Sequence, residues 1–234
     1  MSGTLNVLFI ATLAFVGGHF VLSSAPVRQR LVRKLGESGF MPVYTLVITA
    51  ALIWMIVAYR AAPNVPVWDL PAAMAWIPLV LMPVSIFLVV AGLTTRGPTQ
   101  VGAERSLASG LPGSPAPGIN SITRHPFLWG TALWAAVHLI VTGDLANITL
   151  MSGIVVLSIG GMMHIDRRRE EALGGAWGPV KLTTSLTPFA AILTGRTHLD
   201  WPGIGWWRPL AAVAIYLLLL QLHTWVIGAS PWPT

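Results

Sequence analysis

Six apolar runs of about spanning length set the terms for this chain. They cover Leu5–Ala25, Met41–Tyr59, Met74–Thr95, Phe127–Thr142, Leu145–His164 and Pro209–Ile227. A hydrocarbon core about 30 Å thick takes ~20 helical residues, with 17 at the short end. None of the runs keeps one polar face, so each reads as a span rather than a surface helix. In lipid the backbone must satisfy its own hydrogen bonds, which favours helices for runs this continuous. The expectation is an all-α polytopic transmembrane bundle of six spans, forming a single domain over residues 1–234. Composition agrees: charged residues make up only 9% of the 234, against roughly 25% in a soluble domain. The first run has no basic segment before it and ends in polar Ser23 and Ser24. It is read as a span and not as a cleaved signal peptide.

The charges then orient the bundle. Arg28, Arg30, Arg33 and Lys34 lie between spans one and two. Arg96, Arg105 and Arg124 lie between spans three and four. Arg167, Arg168, Arg169, Lys181, Arg196 and Arg208 lie between spans five and six. The alternate segments carry only Arg60, beside Asp69 and Asp144. The positive-inside rule puts the three basic segments in the cytoplasm, including loops 96–126 and 165–208, and both termini outside. The net charge of +6 is therefore a topology signal, and no nucleic-acid partner is expected. The partners expected of such a bundle are membrane lipids and a lipid-soluble small molecule. Loop Gly97–Asn120, with its Ser-Gly-Leu-Pro-Gly-Ser-Pro-Ala-Pro-Gly run, reads as a flexible connector or lid. Thr187–Leu193 reads as a short interfacial helix.

Four histidines fall in or near spans: His19, His138, His164 and His223. Ionisable groups there are costly and usually face a bundle interior or cavity. Neutral imidazole is a common metal ligand, and it holds haem iron in many proteins. The chain has no cysteine, so histidine is the main candidate for holding a metal. A single buried histidine also serves simply as a hydrogen-bond partner between helices. At ~1.5 Å per helical residue, His138 and His223 share the outer half of the bundle. His19 and His164 lie near its cytoplasmic end. By depth, His138 pairs with His223 more easily than with His19.

The segment Ile122-Thr-Arg-His-Pro-Phe-Leu-Trp-Gly130 is the most informative. Pro126 suits the first turn of a helix, and Thr123 suits its N-cap. Arg124 and His125 then stand at a helix N-terminus, where anions are attracted. A topological role accounts for Arg124 but not for His125. Arg169-Glu-Glu-Ala-Leu-Gly-Gly-Ala-Trp-Gly178 follows span five.

Taken together, these two segments resemble membrane methyltransferases of the isoprenylcysteine carboxyl methyltransferase type. That resemblance implies S-adenosylmethionine held among Arg124, His125, Glu170 and Glu171. The family has tyrosines after its aromatic-Gly pair, where this chain has Pro179-Val-Lys-Leu-Thr. A second resemblance spans nearly the whole chain. Gly18-His19-Phe-Val-Leu-Ser-Ser-Ala-Pro-Val-Arg28, Ile122–Gly130 with His138 beyond it, and His223-Thr-Trp-Val-Ile-Gly-Ala-Ser-Pro231 resemble the NnrU family of bacterial membrane proteins. That family is associated with denitrification and nitric oxide metabolism. It is similar to the cis-ζ-carotene isomerases, which use haem b. The resemblance implies a multi-pass protein of the bacterial inner membrane that binds haem b (Fe). His19 and His138 match the ligating histidines, with His223 the alternative by depth. Arg124, Arg28 or Arg168 would neutralise the propionates. A thiolate ligand, available in the isomerases, is absent here. The third reading is a non-catalytic assembly or regulatory protein.

Overall fold

A computed structural model describes residues 4–100, 103, 107 and 116–232. Its long elements are α1 (Leu5–Ser23), α2 (Ala25–Ala61), α3 (Trp76–Thr94), α4 (Pro126–Thr142), α5 (Leu145–Leu173) and, after several short turns, α9 (Trp207–Ile227). The short helices are α6 (Gly178–Thr183), α7 (Ala190–Leu193) and α8 (Trp201–Ile204). Among the described residues no strand forms, and Pro66 and Asp144 make one isolated bridge. The helical bundle expected from the sequence is therefore present. Five helical stretches are long and apolar enough to cross a membrane: Leu5–Ser23, Ala25–Ala61, Ala72–Thr94, Leu145–Thr183 and Trp207–Ile227. The sixth apolar helix, Pro126–Thr142, has 17 residues, or about 26 Å of rise. That is the short end of spanning length. The connector or lid expected at Gly97–Asn120 lies mostly outside the described residues.

One boundary differs from expectation. Residues 25–35, expected as a loop, are helical and join the second span through a break at Gly36 (φ 72°, ψ 167°). Glycine alone adopts such a backbone without a Cβ penalty. The start of the loop after span five, Arg167-Arg-Arg-Glu-Glu-Ala-Leu173, has a helical look in the sequence, and α5 does run on through it to Leu173. The interfacial helix expected at Thr187–Leu193 is confined to Ala190–Leu193.

The chain divides into two compact units. The first comprises residues 1–71 and 135–157. Here α1 packs on α2, with Gly18 close to Ile48, and α5 meets α1 where a Cβ on Gly153 would strike Thr12. Small residues at such crossings let membrane helices approach closely. At the other end of the unit, the Asp144 carboxylate accepts from the Asn147 N–H at 2.9 Å and caps α5. The Val67 N–H donates to the Gly143 carbonyl at 2.7 Å, tying the 62–71 segment to the α4–α5 turn.

The second unit comprises residues 72–134 and 158–234. In it α3 and the start of α4 cross at two glycines. A Cβ at Gly130 would lie 2.7 Å from the Ser85 carbonyl, and one at Gly92 2.5 Å from the Phe127 nitrogen. The Ser85 hydroxyl donates to the Gly130 carbonyl at 2.8 Å. Helix α9 is fixed to α3 at both ends: Tyr216 donates to the Leu79 carbonyl at 3.0 Å, and Arg208 to the Thr94 carbonyl at 3.0 Å. The second contact satisfies an orphan carbonyl at the end of α3. A small apolar core of Ala91, Ile119, Ile122 and Ile204 closes that end of the unit.

Candidate functional site

In the second unit, the residues nominated at the start of α4 are buried and already hold an anion. It is the Asp166 carboxylate, two residues beyond the apolar stretch of α5. Its Oδ1 accepts from His125 Nε2 at 2.8 Å. Its Oδ2 accepts from Arg124 Nε at 2.8 Å and lies 2.8 Å from Arg124 Nη2, so one edge of the guanidinium converges on a single carboxylate oxygen. Arg124 Nη1 also donates to the Thr184 hydroxyl at 3.2 Å.

The backbone around this cluster is equally committed. The Thr123 hydroxyl accepts from the His125 N–H at 3.3 Å and donates to the Leu186 carbonyl at 2.9 Å. So Thr123 caps a turn just before α4 rather than the helix itself. The Arg124 N–H donates to the Ser185 carbonyl, and the Trp129 indole N–H to the Leu186 carbonyl. The Thr99 hydroxyl donates to the Arg124 carbonyl at 2.7 Å. Burial alone would raise the Asp166 pKa. The hydrogen bond and charge of His125, together with the Arg124 guanidinium, outweigh it and hold the carboxyl below its ordinary value. His125 is 2% exposed, with Nε2 on the carboxylate. The cluster therefore joins the start of α4, the end of α5 and the 184–189 segment, and offers little surface to a ligand. Glu170 pairs with Lys181 and Glu171 with Arg167, each at 2.8 Å. All four residues nominated for S-adenosylmethionine thus have partners within the chain.

Asp166 was not among the residues nominated from sequence. Its signal was present: an arginine and a histidine at a helix N-terminus call for an anion, and Asp166 follows the fifth span directly.

The histidines are placed differently. In the first unit His19 Nδ1 lies 2.8 Å from the Phe15 carbonyl. A carbonyl only accepts, so Nδ1 carries the proton and, in the neutral ring, Nε2 keeps its lone pair. The ring stands edge-on to Phe15 and to Tyr44, with centroids 4.7 and 6.2 Å away. Tyr44 lies against Phe40, and the Arg28 guanidinium sits 5.5 Å over the Phe40 ring. Arg28 also binds Glu37 at 2.9 Å. His138, in the same unit, has its carbonyl bonded to the Asn147 amide at 2.9 Å.

That contact gives the two depths. Thr12 and Gly153 are level, His19 lies seven residues further along α1, and Asn147 six residues back along α5. At ~1.5 Å per residue the Cα levels of His19 and His138 differ by roughly 20 Å. Side chains lean back toward their own helix N-terminus, which narrows this gap without bringing it to the few Å that two ligands of one iron require. His223 belongs to the second unit, and its Nδ1 donates to the Ala229 carbonyl at 2.9 Å. Among the described residues no group of three or more His, Cys, Asp or Glu side chains is arranged to hold a metal ion.

Comparison with known proteins gives two findings. The model of the family described as "NnrU protein" matches residues 7–231. The 15-cis-ζ-carotene isomerase of Zea mays chloroplasts is 35% identical over 82 residues, which is 35% of this chain and 22% of the isomerase. The Arabidopsis thaliana enzyme of the same name is 34% identical over 82 residues, with the same coverage. The match thus spans about a fifth of the length of either relative. No solved structure matches.

Proposed function

The chain belongs to the NnrU family of multi-pass membrane proteins, and from that premise we propose that it binds haem b within the bilayer and rearranges the double bonds of a lipid-soluble polyene. The observation that carries the proposal is the His19 imidazole. Its Nδ1 proton is committed to a backbone carbonyl, the arrangement that fixes tautomer and ring orientation in ligating histidines. Its Nε2 is then the available electron pair. The residues present would hold the iron through one histidine, with Arg28, which also pairs with Glu37, at the same end of the unit as the cation nearest a propionate. The depth difference from His138 favours one protein ligand per iron. The reaction class comes from the relatives, which are named as carotene isomerases.

When bound, the haem would supply an iron able to polarise a double bond or to bind nitric oxide. The chain's own contribution is positional. Phe15 holds the imidazole in one tautomer, and Tyr44 and Phe40 wall its side of the site. A hydrophobic substrate reaches such a site from the bilayer between helices. Purified protein is expected to be red, with a Soret band that moves on reduction and again on adding nitric oxide. A colourless preparation that binds S-adenosylmethionine would overturn this in favour of the methyltransferase reading. One that binds neither, but retains a protein partner, supports the assembly reading.

We place the protein in a bacterial cytoplasmic membrane with both termini outside, because the basic segments alternate. The absence of cysteine makes sidedness easy to read. In intact cells a Ser230→Cys variant should react with a membrane-impermeant maleimide. A Ser38→Cys variant should react only after lysis. The reverse pattern would invert the topology.

A further inference from the structure

We propose that the helical segment 25–35 of α2 is a recognition surface for anionic phospholipid headgroups. Three observations converge on it. First, the segment is amphipathic. Val27, Arg28, Leu31 and Val32 are half-buried, while Gln29, Arg30, Arg33 and Lys34 are exposed. Successive residues turn by 100° on a helix, so these sets occupy opposite sides. Second, Arg30, Arg33 and Lys34 stand at i, i+3 and i+4 and form one stripe. Among the described residues they have no ion pair, whereas Arg28 is used by Glu37 and Phe40. Third, the segment lies between two helical stretches of membrane-spanning length. It follows α1 through Ser24 alone, starts with Pro26 in its first turn, and breaks from the second span at Gly36. Arg28 reaches across that break to Glu37.

A stripe of three unneutralised cations at the headgroup level is complementary to phosphate-bearing lipid. Topology signalling needs only the number of cations on that side of the membrane. It does not need them gathered on one side of a helix whose other side is packed. The occupant is therefore anionic phospholipid of the leaflet that the basic segments face, with phosphatidylglycerol as the probe. It is independent of whether haem is bound.

The test uses full-length protein in phosphatidylcholine nanodiscs carrying a small fraction of spin-labelled phosphatidylglycerol or phosphatidylcholine. The immobilised fraction of each label gives its relative association. Wild type is expected to prefer phosphatidylglycerol several-fold at low salt, and the preference should fall toward unity in about 1 M salt. Each cation removed should weaken the preference by about fivefold at most, so R30Q/R33Q/K34Q should abolish it. Substitution of Arg167 and Lys181, whose cations are paired within the chain, should leave it intact. Should the triple variant insert poorly, the salt series on wild type decides alone. Equal association of the two lipids at low salt, or a preference that salt does not reduce, would overturn the proposal.

Discussion

Asp166→Asn should destabilise the solubilised protein by about 3 kcal/mol or more, the cost of removing one partner from a largely buried ion pair. The Arg124 and Asp166 side chains are 11% and 16% exposed, so water screens little of what is lost. The variant leaves the Arg124 charge without a counter-ion at the start of α4. His125, nearly inaccessible, loses its carboxylate partner as well. The double variant Arg124→Met/Asp166→Leu should cost less than Asp166→Asn alone, because removing both charges also removes the need to compensate them. Unfolding in mixed micelles with increasing dodecyl sulfate reads both. If the single variant unfolds at the wild-type point, the cluster does not hold these segments together. The acid limb has a definite sign. The folded state holds the Asp166 carboxyl below its ordinary value of 3.8. The stabilisation it gives is therefore complete above that value and is lost as pH falls through the lower folded one.

This cluster marks where the sequence ceases to be readable. The spans could be placed because a bilayer imposes a length and an apolar character that a chain cannot evade. The helix at 25–35 was hidden because its cations interrupt the apolar signal. Only the spacing of Val27, Leu31 and Val32 betrays its period. The pairing of Arg124 and His125 with Asp166 spans 41 or 42 residues. No local pattern encodes it, and Asp166 sits beside three arginines that make its neighbourhood look uniformly basic. His125 was the residue that a topology role could not explain. Its burial against the Asp166 carboxylate gives it a partner that the sequence did not reveal. The histidine depths were read by counting along single helices. Within the first unit, the contacts of Thr12 with Gly153 and of His138 with Asn147 set α1, α4 and α5 against one another and with them the levels of His19 and His138.

His19→Ala should remove the Soret absorbance of the purified protein, whereas His138→Ala and His223→Ala should keep most of it. The argument is one of charge as well as reach. Haem b carries two propionates, and they need cations or water. The end of the first unit that holds His19 also holds Arg28, linked to it through Phe40 and Tyr44. The opposite end, at the level of Asn147, carries Asp144 beside the α5 cap, and the Arg60 cation at the end of α2 must offset that carboxylate before an anionic group gains there. An iron on His19 therefore satisfies ligand and propionates at one depth. An iron on His138 would leave the propionates facing a carboxylate. His19→Met, which restores a soft axial donor, should recover a band at shifted wavelength, which separates ligation from a merely packed ring. Full haem occupancy in His19→Ala, with loss in His138→Ala, would move the ligand to α4 and place the substrate at the opposite end of the unit.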